Sequence, residues 1–213
     1  MSGEVTRILA IRHGQTAWNA SGIVQGHTDI GLDARGLWQA QQLARALADA
    51  DVQAVYSSDL ARARQTATPL AACHGLALQL DAALRERAFG EFEGLSFVQV
   101  EQRWPEQALR WRRRDADWGA PGGEALRDFR DRALAAVIRL ASAHRGQCIA
   151  LVTHGGVLDA LYRQATGIAL DAPRSWQLPN AGINRLLASD QGLMLLAWGD
   201  VGHLEAAAQG SGG

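Results

Sequence analysis

Residues 8–11 form a short apolar run that stops abruptly at Arg12-His13-Gly14, the pattern of a buried strand delivering polar groups to the edge of a sheet. From 36 to 48, Leu37, Ala40, Ala44, Leu47 and Ala48 keep helical spacing, and 52–56 then reads as a β-rich run, so the segment predicts a strand-helix-strand unit. A second helix is predicted over 60–74, closed by Gly75, with a short strand at 76–80. The longest helical pattern spans 124–143, with Leu126, Phe129, Ala133, Val137, Leu140 and Ala141 on one face and Gly146 ending it. Residues 148–152 are continuously apolar, as in a strand buried on both faces, and lead into Thr153-His154-Gly155-Gly156 and a helix from Val157. A closing pair of strands is expected at 183–188 and 193–198, around Asp190-Gln191-Gly192. This alternation predicts an α/β fold with helices on both faces of the sheet, where polar residues just past strand ends gather in one crevice. The Trp-rich, polar stretch 103–123 is expected to be irregular and is a candidate lid.

Composition narrows the classes. With 213 residues, 47% of them hydrophobic, the chain suits a single domain, expected over 4–205. A flexible tail is expected over 206–213, since every side chain from Gln209 onward is small or polar. The 21 basic and 22 acidic residues nearly cancel, so no global field favours nucleic acid or an anionic membrane as partner. Cys73 and Cys148 show neither disulfide-framework nor zinc-site spacing, which fits a reducing cytoplasm. No apolar segment is long enough for a signal-peptide core or a membrane span. Homodimer formation stays open.

Two segments share one form, an apolar strand ending in His-Gly, at His13-Gly14 and His154-Gly155. Each alone is weak evidence, because a histidine at a strand end is more often a hydrogen-bonded structural residue. Arg12 and Arg62 change the weighting: both follow or end predicted strands, and guanidinium matches phosphate geometry with paired hydrogen bonds. Any anion site must therefore be local.

Four blocks in order carry a family resemblance: Arg12-His13-Gly14-Gln15-Thr16-Ala17-Trp18-Asn19; Ser57 with Asp59-Leu60-Ala61-Arg62-Ala63-Arg64-Gln65-Thr66-Ala67; Glu86-Arg87-Ala88-Phe89-Gly90-Glu91-Phe92-Glu93-Gly94; and Thr153-His154-Gly155-Gly156. They resemble the successive motifs of the histidine phosphatase superfamily, the branch that includes cofactor-dependent phosphoglycerate mutases. The resemblance implies a doubly wound, mostly parallel α/β sheet, His13 as nucleophile, Arg12, Arg62 and His154 around the phosphate, and Glu86 as proton donor. It further implies substrate contacts from Gln15, Thr16, Asn19, Gln25, Gly26 and Gly155, with neither metal nor other cofactor. The expected activity is hydrolysis of a small phosphate monoester.

These residue types suit that chemistry. Neutral imidazole is a competent nucleophile near pH 7, and a phosphohistidine divides one displacement into two easier ones. Phosphoryl transfer asks mainly for positioning and charge stabilisation, which Arg12, Arg62 and a protonated His154 can supply in place of a metal. Glu86 would protonate the leaving alkoxide and then accept a proton from water; outside its motif it reads as a surface partner of Arg85 or Arg87. A mutase-type phosphotransferase is the alternative, although that subgroup reads Glu-Arg-His-Tyr-Gly where this chain has Glu86-Arg87-Ala88-Phe89-Gly90. A third reading is an inactive phosphoester-binding protein, against which every expected catalytic position is filled. His27, His74, His144 and His203 read as surface or core, Trp104, Trp111 and Trp118 as core packing, and Arg112-Arg113-Arg114 as a solvated face.

Overall fold

A computed structural model describes residues 4–210. The run at 8–11 is the centre of β1 (Thr6–Arg12), which leads through a one-turn helix, α1 (Ala17–Ala20), into α2 (Ala34–Ala46). The strand-helix-strand unit continues as β2 (Ala54–Ser57), α3 (Ala61–Cys73) and β3 (Leu78–Leu80). After two 3-10 turns come α4 (Phe97–Arg103), α5 (Pro105–Arg112) and α6 (Leu126–Ser142). Then β4 (Cys148–Thr153), α7 (Gly155–Thr166), the hairpin β5 (Ile183–Ser189) and β6 (Gly192–Asp200), and α8 (Gly202–Gly210) complete the described chain.

The six strands form one sheet in the order β3-β2-β4-β1-β5-β6. The first four are mutually parallel and the closing hairpin is antiparallel, so the sheet is mostly parallel, as expected. Alternation along the central strands divides the core. Ile8, Ala10, Tyr56, Ile149 and Leu151 pack against α6 and α7, while Leu9, Ile11, Val55, Ala150 and Val152 pack against α2 and α3. Because α2 follows β1 and α7 follows its neighbour β4, the helices leave adjacent strands on opposite faces, which opens a crevice at the carboxyl ends of those strands.

Two expectations need correction. The 103–123 stretch is irregular only from 113, where it runs in turns: α5 occupies its first part, and with α4 it surrounds a third apolar cluster built on Phe92, Val100, Ala108 and Trp118. Ring centroids of Trp104, Trp111 and Trp118 lie 5.3, 5.8 and 5.9 Å from that of Phe92. Local signals specify these helices. Ser96 and Gln99 form a capping box at the start of α4, and Pro105 takes the first position of α5, where its missing N–H is not needed. The tail expected from 206 is helical through Gly210, because Ala206-Ala207-Ala208 are strong helix formers and α8 packs against α2; residues 211–213 of that expectation lie outside the described residues. No helix among the described residues is long and apolar enough to cross a membrane.

The start of α2 is pressed against the loop that follows β1. Asp33 caps the helix by accepting from Gly36 N at 2.8 Å, and a Cβ on Gly36 would stand 2.0 Å from Gln15 O. Gly36→Ala should therefore destabilise the fold by about 1–3 kcal/mol in urea unfolding, the usual range for overpacking, despite the roughly 1 kcal/mol by which alanine favours a helix over glycine. A gain in stability would show that the loop bearing His13 yields freely.

Candidate active site

Parallel pairing sets the histidines together. β1 and β4 run in register with Arg12 opposite Thr153, so the next residues, His13 and His154, stand side by side with ring centroids 5.2 Å apart. His13 N donates to Thr153 O at 2.9 Å and holds the two strand ends together. β2 flanks β4 on its other side, and the first turn of α3 beyond it presents Arg62.

His13 is buried, and its Nδ1 lies 2.7 Å from Gly14 O. A carbonyl only accepts, so Nδ1 carries the proton and Nε2, which has no hydrogen bond, keeps its lone pair. Arg62 is fully buried and donates from Nη1 to Thr28 O at 3.0 Å and from Nη2 to Gly26 O at 2.7 Å. Arg12 donates from Nη1 to Leu178 O. Arg12 Nε, Arg62 Nε and both ring nitrogens of His154 are buried without a partner. Four unsatisfied nitrogens at one strand edge are costly to bury and form a site for an acceptor-rich group.

Burial first, and then the guanidiniums, set the electrostatics. Burial pushes the His13 imidazole well below its ordinary value, with Arg12 and Arg62 adding to the effect; burial followed by Arg62, His13 and Arg12 does the same to His154. Both effects favour the neutral imidazoles in the free protein, whereas the expected protonated His154 belongs to the site with a phosphoryl group in place. Arg12 and Arg62 are also lowered by burial, with Glu86 opposing that shift.

Glu86 reaches α7 from the loop before the third core. Its Oε2 accepts from Gly156 N at 3.0 Å and its Oε1 from Arg87 N at 2.9 Å. A Cβ on Gly156 would lie 2.1 Å from Oε1, so glycine is required for this approach to the helix N-terminus. The surface-pair reading of Glu86 fails on its neighbours. Arg85 pairs with Asp59 at 2.6 Å, while Arg87 turns inward to Glu124 O and Trp118 O, its guanidinium pushed down to about 10 by burial. His27, read from sequence as surface or core, donates from Nε2 to Glu86 O at 2.8 Å and braces this segment. The other three histidines stay outside the cluster; His144, for example, bonds Tyr56 and Gln147.

The remaining expected substrate contacts are given positioning bonds by the structure. Gln15 is tied to Gln39 and Asp33 of the α2 start. Thr16 and Asn19 form a capping box, Thr16 Oγ1 also donates to Gln25 Oε1 at 3.0 Å, and Asn180 donates to His13 O at 2.9 Å. Gly26 sits at φ 49° with its carbonyl on Arg62. Glu93 fixes that turn: Oε1 accepts from His27 N and Phe89 N, and Oε2 from Thr28 N and Oγ1. Burial would raise the Glu93 carboxyl, but these donors outweigh it and hold it below the usual range.

A cavity of about 410 Å³ opens beside the cluster, with Arg12, Glu86, Gly155 and Gly156 on its wall. Trp111 and Arg114 also line it, whereas Trp118 is buried in the third core. Asp159 and Arg174 complete the wall, and nothing in their local sequence marked them. Among the described residues no three His, Cys, Asp or Glu side chains are grouped to hold a metal. The arrangement can receive a phosphate ester, attack it from His13 Nε2 and offer a carboxyl at the leaving oxygen.

The depressed histidines also predict a pH dependence. Unfolded, His13 and His154 take protons near pH 6.5; folded, they do so only well below that. The unfolded chain then binds more protons as pH falls below about 6.5, and each histidine removes up to roughly 1.4 kcal/mol of stability per pH unit. Urea unfolding from pH 7.5 to 5 should therefore lose stability more steeply in the wild type than in His154→Asn. Equal slopes would show that His154 is protonated in the fold.

Comparison with known proteins agrees with this geometry. Residues 8–201 match the family model of the histidine phosphatase superfamily (branch 1). The chain is 38% identical to phosphoglycerate mutase-like protein 4 of Arabidopsis thaliana, across 95% of this chain and 88% of the relative. It is 36% identical to a metal-independent phosphoserine phosphatase of the same plant, across 97% and 86%. Among solved structures, a mycobacterial glucosyl-3-phosphoglycerate phosphatase in complex with VO3 superposes with a TM-score of 0.81 at 31% identity, covering 90% of this chain and 98% of that one. Bacillus stearothermophilus YhfR gives 0.86 at 28%, covering 93% and 99%. With the paired strand-end histidines, the buried arginines and a family match spanning nearly the whole described chain, this protein belongs to the histidine phosphatase superfamily, branch 1.

Proposed function

We propose that the chain is a metal-independent phosphatase that hydrolyses a small phosphate monoester through a phosphohistidine on His13 Nε2. The convergence of unpartnered nitrogens from Arg12, Arg62 and His154 beside that lone pair carries the reading. The Nε2 lone pair attacks phosphorus as the ester P–O bond breaks, and the departing alkoxide takes a proton from the Glu86 carboxyl. Water then attacks the phosphohistidine, giving its proton to the Glu86 carboxylate, and the P–N bond breaks to release phosphate. Charge on the transferring oxygens is met by Arg12, Arg62 and the N-terminus of α7; the arriving dianion raises the His154 pKa and favours its protonated form. A relative named a metal-independent phosphoserine phosphatase and a structural neighbour holding VO3 support this assignment.

A mutase-type reading has its own support in the relative named phosphoglycerate mutase-like protein 4. Ala88-Phe89 in place of the His-Tyr of that subgroup favours water as the acceptor. With a 32P-labelled phosphate ester in excess EDTA, rapid alkaline quench should capture label on His13, and a chase should pass it to inorganic phosphate. Transfer into added monophosphoglycerate faster than into water would establish the mutase instead, and turnover in His13→Ala would remove the nucleophile assignment.

Leaving-group dependence tests Glu86. An alkyl ester departs as a strongly basic alkoxide, whereas 4-nitrophenolate needs no proton near neutrality. In single-turnover phosphorylation, Glu86→Gln should slow alkyl ester cleavage by about 100-fold or more and leave 4-nitrophenyl phosphate much less affected. Equal losses on both would mean that Glu86 acts by positioning alone.

A further inference from the structure

We infer that Asn180 is a positioning residue for the nucleophile: by holding the carbonyls of His13 and Gly14, it keeps the His13 imidazole in the tautomer whose Nε2 bears the lone pair. The inference rests on the reading of His13 as nucleophile and adds to it the group that sets the ring's reactive form.

β1 loses its ladder where the reactive histidine begins. Its pairing with β5 ends at Ile11 opposite Ile183, and its pairing with β4 at Arg12 opposite Thr153. The next backbone groups need other partners, since buried N–H and C=O groups are rarely left unpaired. On the β4 side, His13 N donates to Thr153 O at 2.9 Å and Gly14 N to Thr66 Oγ1 at 2.9 Å. The other side is closed by the turn at 178–182. Gly182 O accepts from Arg12 N at 3.3 Å, while Ala181 N donates to Arg12 O at 3.0 Å and to His13 O at 3.3 Å. Leu178 O takes the Arg12 guanidinium, so one turn meets the whole Arg-His-Gly segment. Ala181 is fully buried at φ 56°, a left-handed conformation that a residue with a Cβ keeps only where its surroundings demand it.

Asn180 is the side chain of that turn that reaches the loop. Its Nδ2 donates to His13 O at 2.9 Å and to Gly14 O at 3.3 Å, and lies 3.3 Å from Asn19 Oδ1. All three neighbours are acceptors, which settles that the amide nitrogen faces them. Gly14 O decides the tautomer, because His13 Nδ1 donates to one of its lone pairs at 2.7 Å while Asn180 takes the other. Gly14 itself offers little resistance to rotation, having no Cβ; one would stand 2.7 Å from Gly36 O. The peptide it forms with Gln15 is therefore held from outside, at the N–H by Gln39 Oε1 at 2.8 Å and at the carbonyl by Asn180. With Asn180 removed, Gly14 O can swing away from Nδ1. The ring proton is then free to reside on Nε2, where it blocks the lone pair that attacks phosphorus.

Long-range 1H–15N NMR on the free protein reads which ring nitrogen of His13 carries the proton, with His13→Ala identifying its signals. Wild type should show Nδ1 protonated and Nε2 bare, and Asn180→Ala a mixture with the Nε2–H form. Single-turnover phosphorylation should slow by about three- to tenfold in that variant, the net worth of one hydrogen bond. The loss should be equal on an alkyl ester and on 4-nitrophenyl phosphate, because attack is common to both, and this separates Asn180 from Glu86. Should Asn180→Ala fail to fold by circular dichroism, Asn180→Leu fills the volume without a donor and carries the same expectations. A variant that keeps the wild-type tautomer, whatever its rate, would overturn the inference, as would a mixed tautomer with an unslowed reaction or a wild-type His13 protonated on Nε2. Failure of the wild type to release phosphate from any ester would count instead against the phosphatase reading, while the tautomer still decides the hold of Asn180 on the ring.

Discussion

Arg62 has no exposed surface, and its charge is answered through space by Glu86, Asp29 and Glu93 without an ion-pair contact. Burying such an ion costs several kcal/mol even after relaxation, and much of the surrounding structure is arranged to tolerate it. The carbonyls of Gly26 and Thr28 hold two of its nitrogens, so the 25–28 turn must itself be immobile. Glu93 supplies that immobility by drawing backbone donors from His27, Thr28 and Phe89 onto one carboxylate. Gly26 has to be glycine on two counts, its φ of 49° and the 2.1 Å that would separate a Cβ from Glu93 Oε1. One buried charge thereby dictates the backbone of a loop and the start of the third core.

The same economy governs the imidazoles. Near two guanidiniums and out of water, His13 and His154 keep their neutral forms, which is what nucleophilic attack requires. The hydrogen bond to Gly14 O chooses the tautomer, and Gly14 N in turn donates to Thr66 of α3, so the nucleophile is oriented by the helix that carries Arg62. Neighbouring strands and the helices that follow them therefore fix one another's chemistry.

Sequence alone revealed the parts of this arrangement that are local. Abrupt ends of apolar runs located His13 and His154, and parallel pairing in register explains why two similar endings lie together. Arg62 was legible as a cation one turn past a strand. Asp159 was not, because it lies within an otherwise apolar helical pattern and gains meaning only from Arg114, 45 residues away. His27 lacked a sequence partner for the same reason, since it bonds a backbone carbonyl 59 positions on. The helices α4 and α5 were hidden by their high arginine and tryptophan content, which masks amphipathic spacing although the cap residues announced them. The pocket's floor was thus readable and its outer wall was not: the floor is set by strand ends, the wall by contacts between distant segments.

The third aromatic cluster gives the molecule a division of labour in evolutionary time. Phe92, Val100, Ala108 and Trp118 bury one another apart from the two layers that flank the sheet. Trp111, packed on this cluster, and Arg114, immediately beyond α5, reach the ligand cavity, while His13, Arg62 and His154 are supported by the sheet and its own helices. Drift in this segment can reshape the pocket's outer wall without loosening the cluster at the strand ends. Diversification of substrates on an unchanged reaction is the history such an architecture permits.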